Sequence, residues 1–252
     1  MLEMSPRKGS ATRERILELA EAAVLEKGFA ATSIEELIVA AGITKSGFFY
    51  HFKDKGELAT ALMQRYIAHN DAVMADIFAR ADELNEDPLH GFLVALKLFA
   101  EMTAVLPGTH HGCLVASFCY QERLFSQDVR ELAFEGVSNW RRFFLDRLTK
   151  IADRYPPKIQ IELGALADMA NTLVDGGIIL SRIMRDKTIL PQQIMLYRDF
   201  VRAVFLGAQS SLFVDLTPLS PSSPGEDPAI QVSIRTSPTN LDHRVAPLRV
   251  GR

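Results

Sequence analysis

Apolar residues in the first part of the chain recur at intervals of three and four, the spacing of one face of a helix. Ile16, Leu19, Ala20, Ala23 and Val24 form such a set between Thr12 and Lys27, and Gly28 stands where a helix stop is expected. Thr32-Ser33-Ile34-Glu35-Glu36 holds two overlapping capping boxes, Thr32 with Glu35 and Ser33 with Glu36, ahead of Ile34, Leu37, Ile38 and Ala41. This predicts a short second helix. Gly42 supplies a turn, Ile43 can plug the angle between helices, and Thr44 is a natural N-cap for a third helix through about His51. Two short helices joined by three residues have the spacing of a helix-turn-helix.

The same period continues. Asp54 can cap a helix carrying Leu58, Leu62, Tyr66, Val73, Ile77 and Leu84 toward Asn85, and Asp87-Pro88 restarts the chain in N-cap then N1 order, with a stop near Pro107-Gly108. Further helices are predicted from Gly112 to about Arg123, Ser126 to Tyr155, Lys158 to Arg185 and Pro191 to about Phe213. Strand-like alternation of useful length is absent up to that point, so the class is all-α: an N-terminal three-helix head over residues 1–55 and a larger helical domain over 56–213. Beyond it, six of the chain's 12 prolines (Pro218, Pro221, Pro224, Pro228, Pro238 and Pro247) lie among Ser, Thr and Gly, which predicts a disordered tail over 214–252, with a short Ile230 to Ile234 alternation inside it.

Composition adds limits. A chain of 252 residues that is 48% hydrophobic can bury a sizeable core. It shows no uninterrupted apolar run of roughly 18 to 20 residues and no secretory-type leader, so a cytoplasmic protein without membrane partners is expected. Cys113 and Cys119 are expected to be reduced thiols. A net charge of −3 means that nucleic-acid binding must rest on local patches. Arg7, Lys8, Arg13 and Arg15 form one such cluster, and Lys45, His51, Lys53 and Lys55 another, diluted by Glu14, Glu18, Glu35 and Glu36.

The run Ala41-Gly42-Ile43-Thr44-Lys45-Ser46-Gly47-Phe48-Phe49-Tyr50-His51-Phe52-Lys53-Asp54-Lys55, preceded by Gly28-Phe29-Ala30-Ala31-Thr32-Ser33, resembles the DNA-binding head of the TetR/AcrR family. A recognition helix needs small or extended polar residues in its first turn to approach base edges, and Thr44, Lys45, Ser46 and Gly47 suit that role. Gly47 permits close approach of backbone to duplex, and Lys45 can reach a guanine edge or a phosphate. The resemblance implies phosphate contacts from Tyr50, His51 and Lys55, with a further one from Thr32 or Ser33. Phe48 and Phe52 are expected to pack the head. At the recognition-helix position of Phe49 the family commonly carries a tyrosine whose hydroxyl contacts the DNA backbone; a phenylalanine there lacks that group.

The resemblance extends to Leu173-Val174-Asp175-Gly176-Gly177-Ile178-Ile179-Leu180-Ser181-Arg182, which looks like the penultimate helix of family members. It implies a homodimer through the last two helices, with Ile194, Phe200, Val201, Val204, Phe205 and Ala208 as a matching apolar face. Each mid-helix glycine costs on the order of 1 kcal/mol relative to alanine, so close helix approach or a cavity is expected at Gly176-Gly177.

His110-His111-Gly112-Cys113-Leu114 resembles a Gly-Cys-Leu segment of a family subset, in some of which the cysteine responds to electrophiles or oxidants. A helix beginning at Gly112 would put Cys113 in a first turn, where backbone N–H groups favour a thiolate, while Cys119 is read as inert core. An effector site is expected among Phe99, Met102, Phe118, Trp140, Phe144, Met169 and Leu173, together with Cys113. Adjacent histidines in a loop point apart, so His110 and His111 are not read as metal ligands; neither cofactor nor metal is expected. The resulting expectation is a dimeric repressor, not an enzyme, released from a palindromic double-stranded DNA operator by a small molecule or electrophile. The alternatives are a helical thiol-dependent enzyme using Cys113 with His110 or His111, and an interaction module without DNA binding.

Overall fold

The structure, a computed structural model, describes residues 7–207. The predicted tail over 214–252, the end of the last helix toward Phe213 and the Ile230 to Ile234 alternation lie outside the described residues, as do the side chains of Arg7 and Lys8. Within the described residues the chain forms helices α1 (Arg7–Lys27), α2 (Ile34–Ala41), α3 (Lys45–His51), α4 (Lys55–Leu84), α5 (Pro88–Ala104), α6 (Leu114–Cys119), α7 (Gln127–Arg154), α8 (Leu163–Met184) and α9 (Ile189–Leu206), with one 3₁₀ turn at Glu122–Leu124 and no strand.

Side-chain caps set most of these boundaries. Ser33 caps α2 by accepting from Glu36 N at 3.1 Å, Thr44 caps α3 by accepting from Gly47 N at 3.1 Å, and Asp54 caps α4 by accepting from Glu57 N at 2.8 Å. Of the two overlapping capping boxes, the chain therefore uses Ser33 with Glu36. Gly42 ends α2 in the left-handed conformation, with φ 66°, which a β-branched residue would resist.

Two apolar cores result. One joins α1, α2, α3, the first half of α4, α6 and the start of α7 around Phe29, Phe48, Phe52, Leu58 and Leu62. The other joins the second half of α4 with α5, α7, α8 and α9 around Phe78, Phe92, Phe144, Tyr197 and Phe205. Full burial of each such side chain contributes about 1.5–3 kcal/mol. By length and composition α8 is apolar enough to cross a membrane. In the fold its inner side buries Leu166, Ala167, Ala170 and Ile178, and Asp168, Asp175 and Arg182 interrupt the rest.

Four helices differ in their bounds from the sequence reading, the first of them α1, which begins at Arg7 rather than Thr12. The sixth helix is six residues long, because Gly112 has φ 135°, outside the helical region, and Cys113 becomes the N-cap. The eighth begins at Leu163 rather than Lys158: Lys158 N donates to Val204 O at 2.7 Å, pinning a loop against α9, and Glu162 caps the helix. The ninth begins at Ile189, with Pro191 in its first turn, where a proline costs no hydrogen bond.

Asp87 ties the second core together at one point. Its Oδ1 accepts from Leu89 N and His90 N at 3.1 and 3.0 Å, and its Oδ2 accepts from the Tyr155 hydroxyl at 2.6 Å, joining the start of α5 to the end of α7. These donors and Arg154 outweigh desolvation and hold its carboxyl well below the usual aspartate value. Asp87→Ala is expected to lower stability by about 1–2 kcal/mol in urea unfolding. Because the folded-state pKa is depressed, the ionised carboxylate stabilises fully at neutral pH. That contribution falls as pH drops below about 3.8, so the parent and the variant should converge in acid.

Candidate nucleic-acid interface and effector cavity

The turn of the helix-turn-helix leaves the first turn of α3 facing outward. Thr44, Lys45 and Ser46 are exposed, as are Phe49 and Tyr50, the latter 81% accessible, while Phe48 and Phe52 are buried beneath them. The aromatic cluster thus divides: the buried pair anchors the helix and the outer pair stands on its surface. Gly47 is half-buried, and a Cβ there would lie 3.3 Å from Thr44 Oγ1, so glycine also relieves crowding inside the cap. The Thr44 hydroxyl lies 3.0 Å from Ser46 Oγ. The His51 ring is half-buried and meets Tyr50 edge to face at 5.0 Å. Lys45 is thus an exposed cation on the presented turn of α3.

Two residues expected to meet phosphate have other partners. Thr32 is buried and its hydroxyl donates to Gly28 O at 3.0 Å, closing the α1–α2 turn; of the pair Thr32 and Ser33, the exposed one is Ser33. Lys55 Nζ donates to Phe29 O at 2.7 Å and sits 4.5 Å from the centre of the Phe29 ring. Burial pushes its ammonium below the usual lysine value. A lysine next to the end of a helix satisfies orphan carbonyls, and sequence alone does not separate that use from a DNA contact.

A cavity of about 330 Å³ lies between α4, α5, α7 and α8, closed at one end by the loop that leads into α6. Phe99, Met102, Cys113 and Trp140 line it, as expected. The other four candidates do not. Phe144 is buried in the second core, against which Met169 and Leu173 pack. Phe118 is buried in the first core, stacked on Phe125 at 4.0 Å and facing Phe29 at 5.5 Å. Helical period alone gives these side chains the same inward direction as Phe99, Met102 and Trp140, which line the space.

Sequence reasoning missed the polar side of the cavity: Tyr66 and Asn70 on α4, His110 in the loop, and Asn171 and Asp175 on α8. The one available signal was a carboxylate inside the apolar run Leu173 to Leu180. Asp175 accepts a hydrogen bond from the Cys113 thiol, and burial raises its pKa. Trp140 bonds to Asp71, which leaves its ring to the cavity.

Cys113 differs from expectation. It is the N-cap of α6, its Sγ accepting from Ala116 N at 3.4 Å, but burial, with the Asp175 carboxylate beside it, pushes the thiol up to about 11. Desolvation outweighs the backbone donor, so the thiol stays protonated at neutral pH. Cys119, read as core, is exposed, because α6 ends there instead of continuing.

The loop, α8 and the head meet at one side chain. Arg182 Nη1 donates to Leu25 O near the end of α1 at 3.3 Å and to His111 O. Nearby, Ala30 N donates to Gln121 Oε1 at 3.2 Å.

This arrangement matches known proteins. A family model described as bacterial regulatory proteins, tetR family, matches residues 16–62, the span from α1 into α4. The HTH-type transcriptional regulator YxaF of Bacillus subtilis is 23% identical over 182 residues, covering 71% of this chain and 89% of that protein. The fold is that of a TetR-family regulator from Agrobacterium tumefaciens (TM-score 0.65, 17% identity, 79% of this chain and 100% of the other). It is also that of the reduced form of Escherichia coli NemR (TM-score 0.60, 21% identity, 75% and 96%). With the Gly42 turn, the capped α3 and the all-helical body, these matches identify residues 16–62 as a tetR-type DNA-binding head on a chain with the fold of TetR-family regulators, a DNA-binding transcriptional regulator.

Proposed function

We propose that this regulator is a homodimeric repressor that grips a palindromic operator through α3 and lets it go when a small molecule fills the cavity behind α6. The observation that carries the reading is the sharing of the cavity wall with the parts that hold the head. Tyr66 belongs to α4, and Cys113 caps α6, whose Phe118 packs on Phe29. A ligand that pushes on this wall pushes on the joint to α1.

In this reading residues 1–55 form the DNA-binding head and 56–213 the effector and dimerisation domain. Lys45, Thr44, Ser46 and Gly47 face base edges, and Ser33, Phe49, Tyr50 and His51 flank the backbone. Lys55 acts indirectly, by fixing the α1–α2 turn. A regulator of this kind works where the chromosome lies, in the cytoplasm.

The dimer reading draws on the outer faces of the last two helices, because Ile194, Val201, Val204 and Phe205, the apolar face expected to meet a second copy, are buried in the second core of the same chain with Phe200 packed against it. Ile179, Leu180, Ile183 and Met184 on α8 and Leu196 and Leu206 on α9 are exposed apolar residues at helical spacing. Gly177 lies 3.1–3.3 Å, measured from an ideal Cβ, from Leu190, so it serves close packing of α8 on α9 within the chain. Gly176 has open space in front of it, on the side where a second copy would approach. A two-fold pair would set its recognition helices about 34–36 Å apart, one DNA turn. Effector binding then changes that separation, by no more than the ligand's differential affinity for the two states allows.

The cavity is a better sensor than the thiol, since Cys113 is protonated and half-buried. The same protonation, and a His110 Nδ1 that accepts from Gly112 N at 3.2 Å, fit poorly with a thiol nucleophile and its base.

Three outcomes test these assignments. Lys45→Ala should weaken binding to DNA from upstream of the protein's own gene by about 1–3 kcal/mol in a gel shift, with the dimer intact; unchanged affinity would remove Lys45 from the interface. Ile183→Asp, at a position 73% accessible, should drop the light-scattering mass from twice 28.0 kDa to 28.0 kDa. Under iodoacetamide at neutral pH, Cys113 should alkylate about ten-fold or more slowly than Cys119 by mass spectrometry; equal rates would restore the thiol as a sensor.

A further inference from the structure

The lining of the cavity carries an unbalanced charge. Among the described residues that line it there is no lysine or arginine, and Asp175 is the only carboxylate. Its partner inside is the neutral Cys113 thiol. Arg182, two turns further along α8, spends its Nη1 on the carbonyls of Leu25 and His111. His110 does not supply the missing charge: its Nδ1 accepts from Gly112 N, and burial, His111 and Arg182 lower its pKa. His69 stands exposed. Phe99 and Met102 from α5 and Val137 and Trp140 from α7 supply apolar and aromatic lining.

A largely buried carboxylate without a counter-charge is unfavourable even with neutral polar neighbours, and a ligand that brings one gains more there than in water. A ligand carboxylate would add a second negative charge beside Asp175. An aromatic wall also favours a cation near a ring face. We propose that the effector is a lipophilic amine, its protonated nitrogen against Asp175 and its apolar body among Phe99, Met102, Val137 and Trp140. The proposal rests on the reading of this cavity as the effector site.

Trp140 is the single tryptophan of the chain, so fluorescence reports on this wall. The test titrates the full chain at neutral pH with 4-phenylbutylamine, 4-phenylbutanol and 4-phenylbutyrate, which share a body and differ in charge, and follows Trp140 emission and heat by calorimetry. The amine is expected to bind roughly ten-fold tighter than the alcohol or the carboxylate. Asp175→Asn should remove that preference while leaving the alcohol within about two-fold, and Asp175→Glu should retain it. Circular dichroism checks that each variant keeps its helix content; if Asp175→Asn does not fold, the ranking of the three probes on the parent decides. A carboxylate that binds as well as the amine overturns the proposal, as does an Asp175→Asn protein that still prefers the amine. Equal binding of all three keeps the cavity as a ligand site and rejects the charge assignment. Binding of none rejects both.

Discussion

Everything in this molecule hangs on the continuity of α4. Thirty residues of helix extend about 45 Å, and the two ends are buried in different cores: Leu58, Leu62 and Tyr66 with the head, Met74, Phe78 and Ala81 with the body. One continuous helix therefore has side chains in each core and a backbone that joins them. The head end is further fixed by Arg65, whose guanidinium pairs with Glu14, Glu18 and Glu21 along α1. Three carboxylates converging on one partly buried arginine form a network, which holds position better than an isolated surface pair. Tyr66, the next residue, lines the cavity.

The second linkage is made of packing. Phe29, just beyond α1, sits against Phe118 and Phe125, at 5.5 and 4.7 Å between ring centres, and those two rings stack on each other. Close-packed interiors shift between discrete arrangements rather than deforming smoothly, so a displaced α6 has to move Phe29 or lose the stack. Gln121 and Arg182 add polar ties across the same joint. The cavity borders both linkages, through Tyr66 on α4 and through Cys113 and Val115 at α6.

Much of this was legible in the residues. Caps read locally, because Ser33, Thr44, Asp54, Asp87 and Ser126 bond to amides two or three positions away, and each begins its helix as the pattern says. The helix-turn-helix is local in the same sense, since Gly42 and Thr44 define the turn between them. What escaped was decided by partners distant in sequence. The Lys55 ammonium goes to a carbonyl 26 positions back, and Arg182 reaches 157 positions back to Leu25. The state of Cys113 depends on its burial and on Asp175 beside it, which the sequence presented only as part of an interface motif. Periodicity marks the inward side of a helix, but it does not distinguish Phe144, which fills the core, from Trp140, which borders a void.

The commitment of Lys55 to Phe29 O has an ionic consequence. Binding DNA releases condensed counterions in proportion to the phosphates that a protein neutralises, with a slope of about −0.9 in log affinity against log salt for each one. A head in which a lysine is occupied with its own backbone, and in which Lys27 is paired with Glu36, brings fewer free cations to the duplex than its composition implies. The counterion-release share of DNA binding is therefore smaller than a count of the lysines near α3 implies.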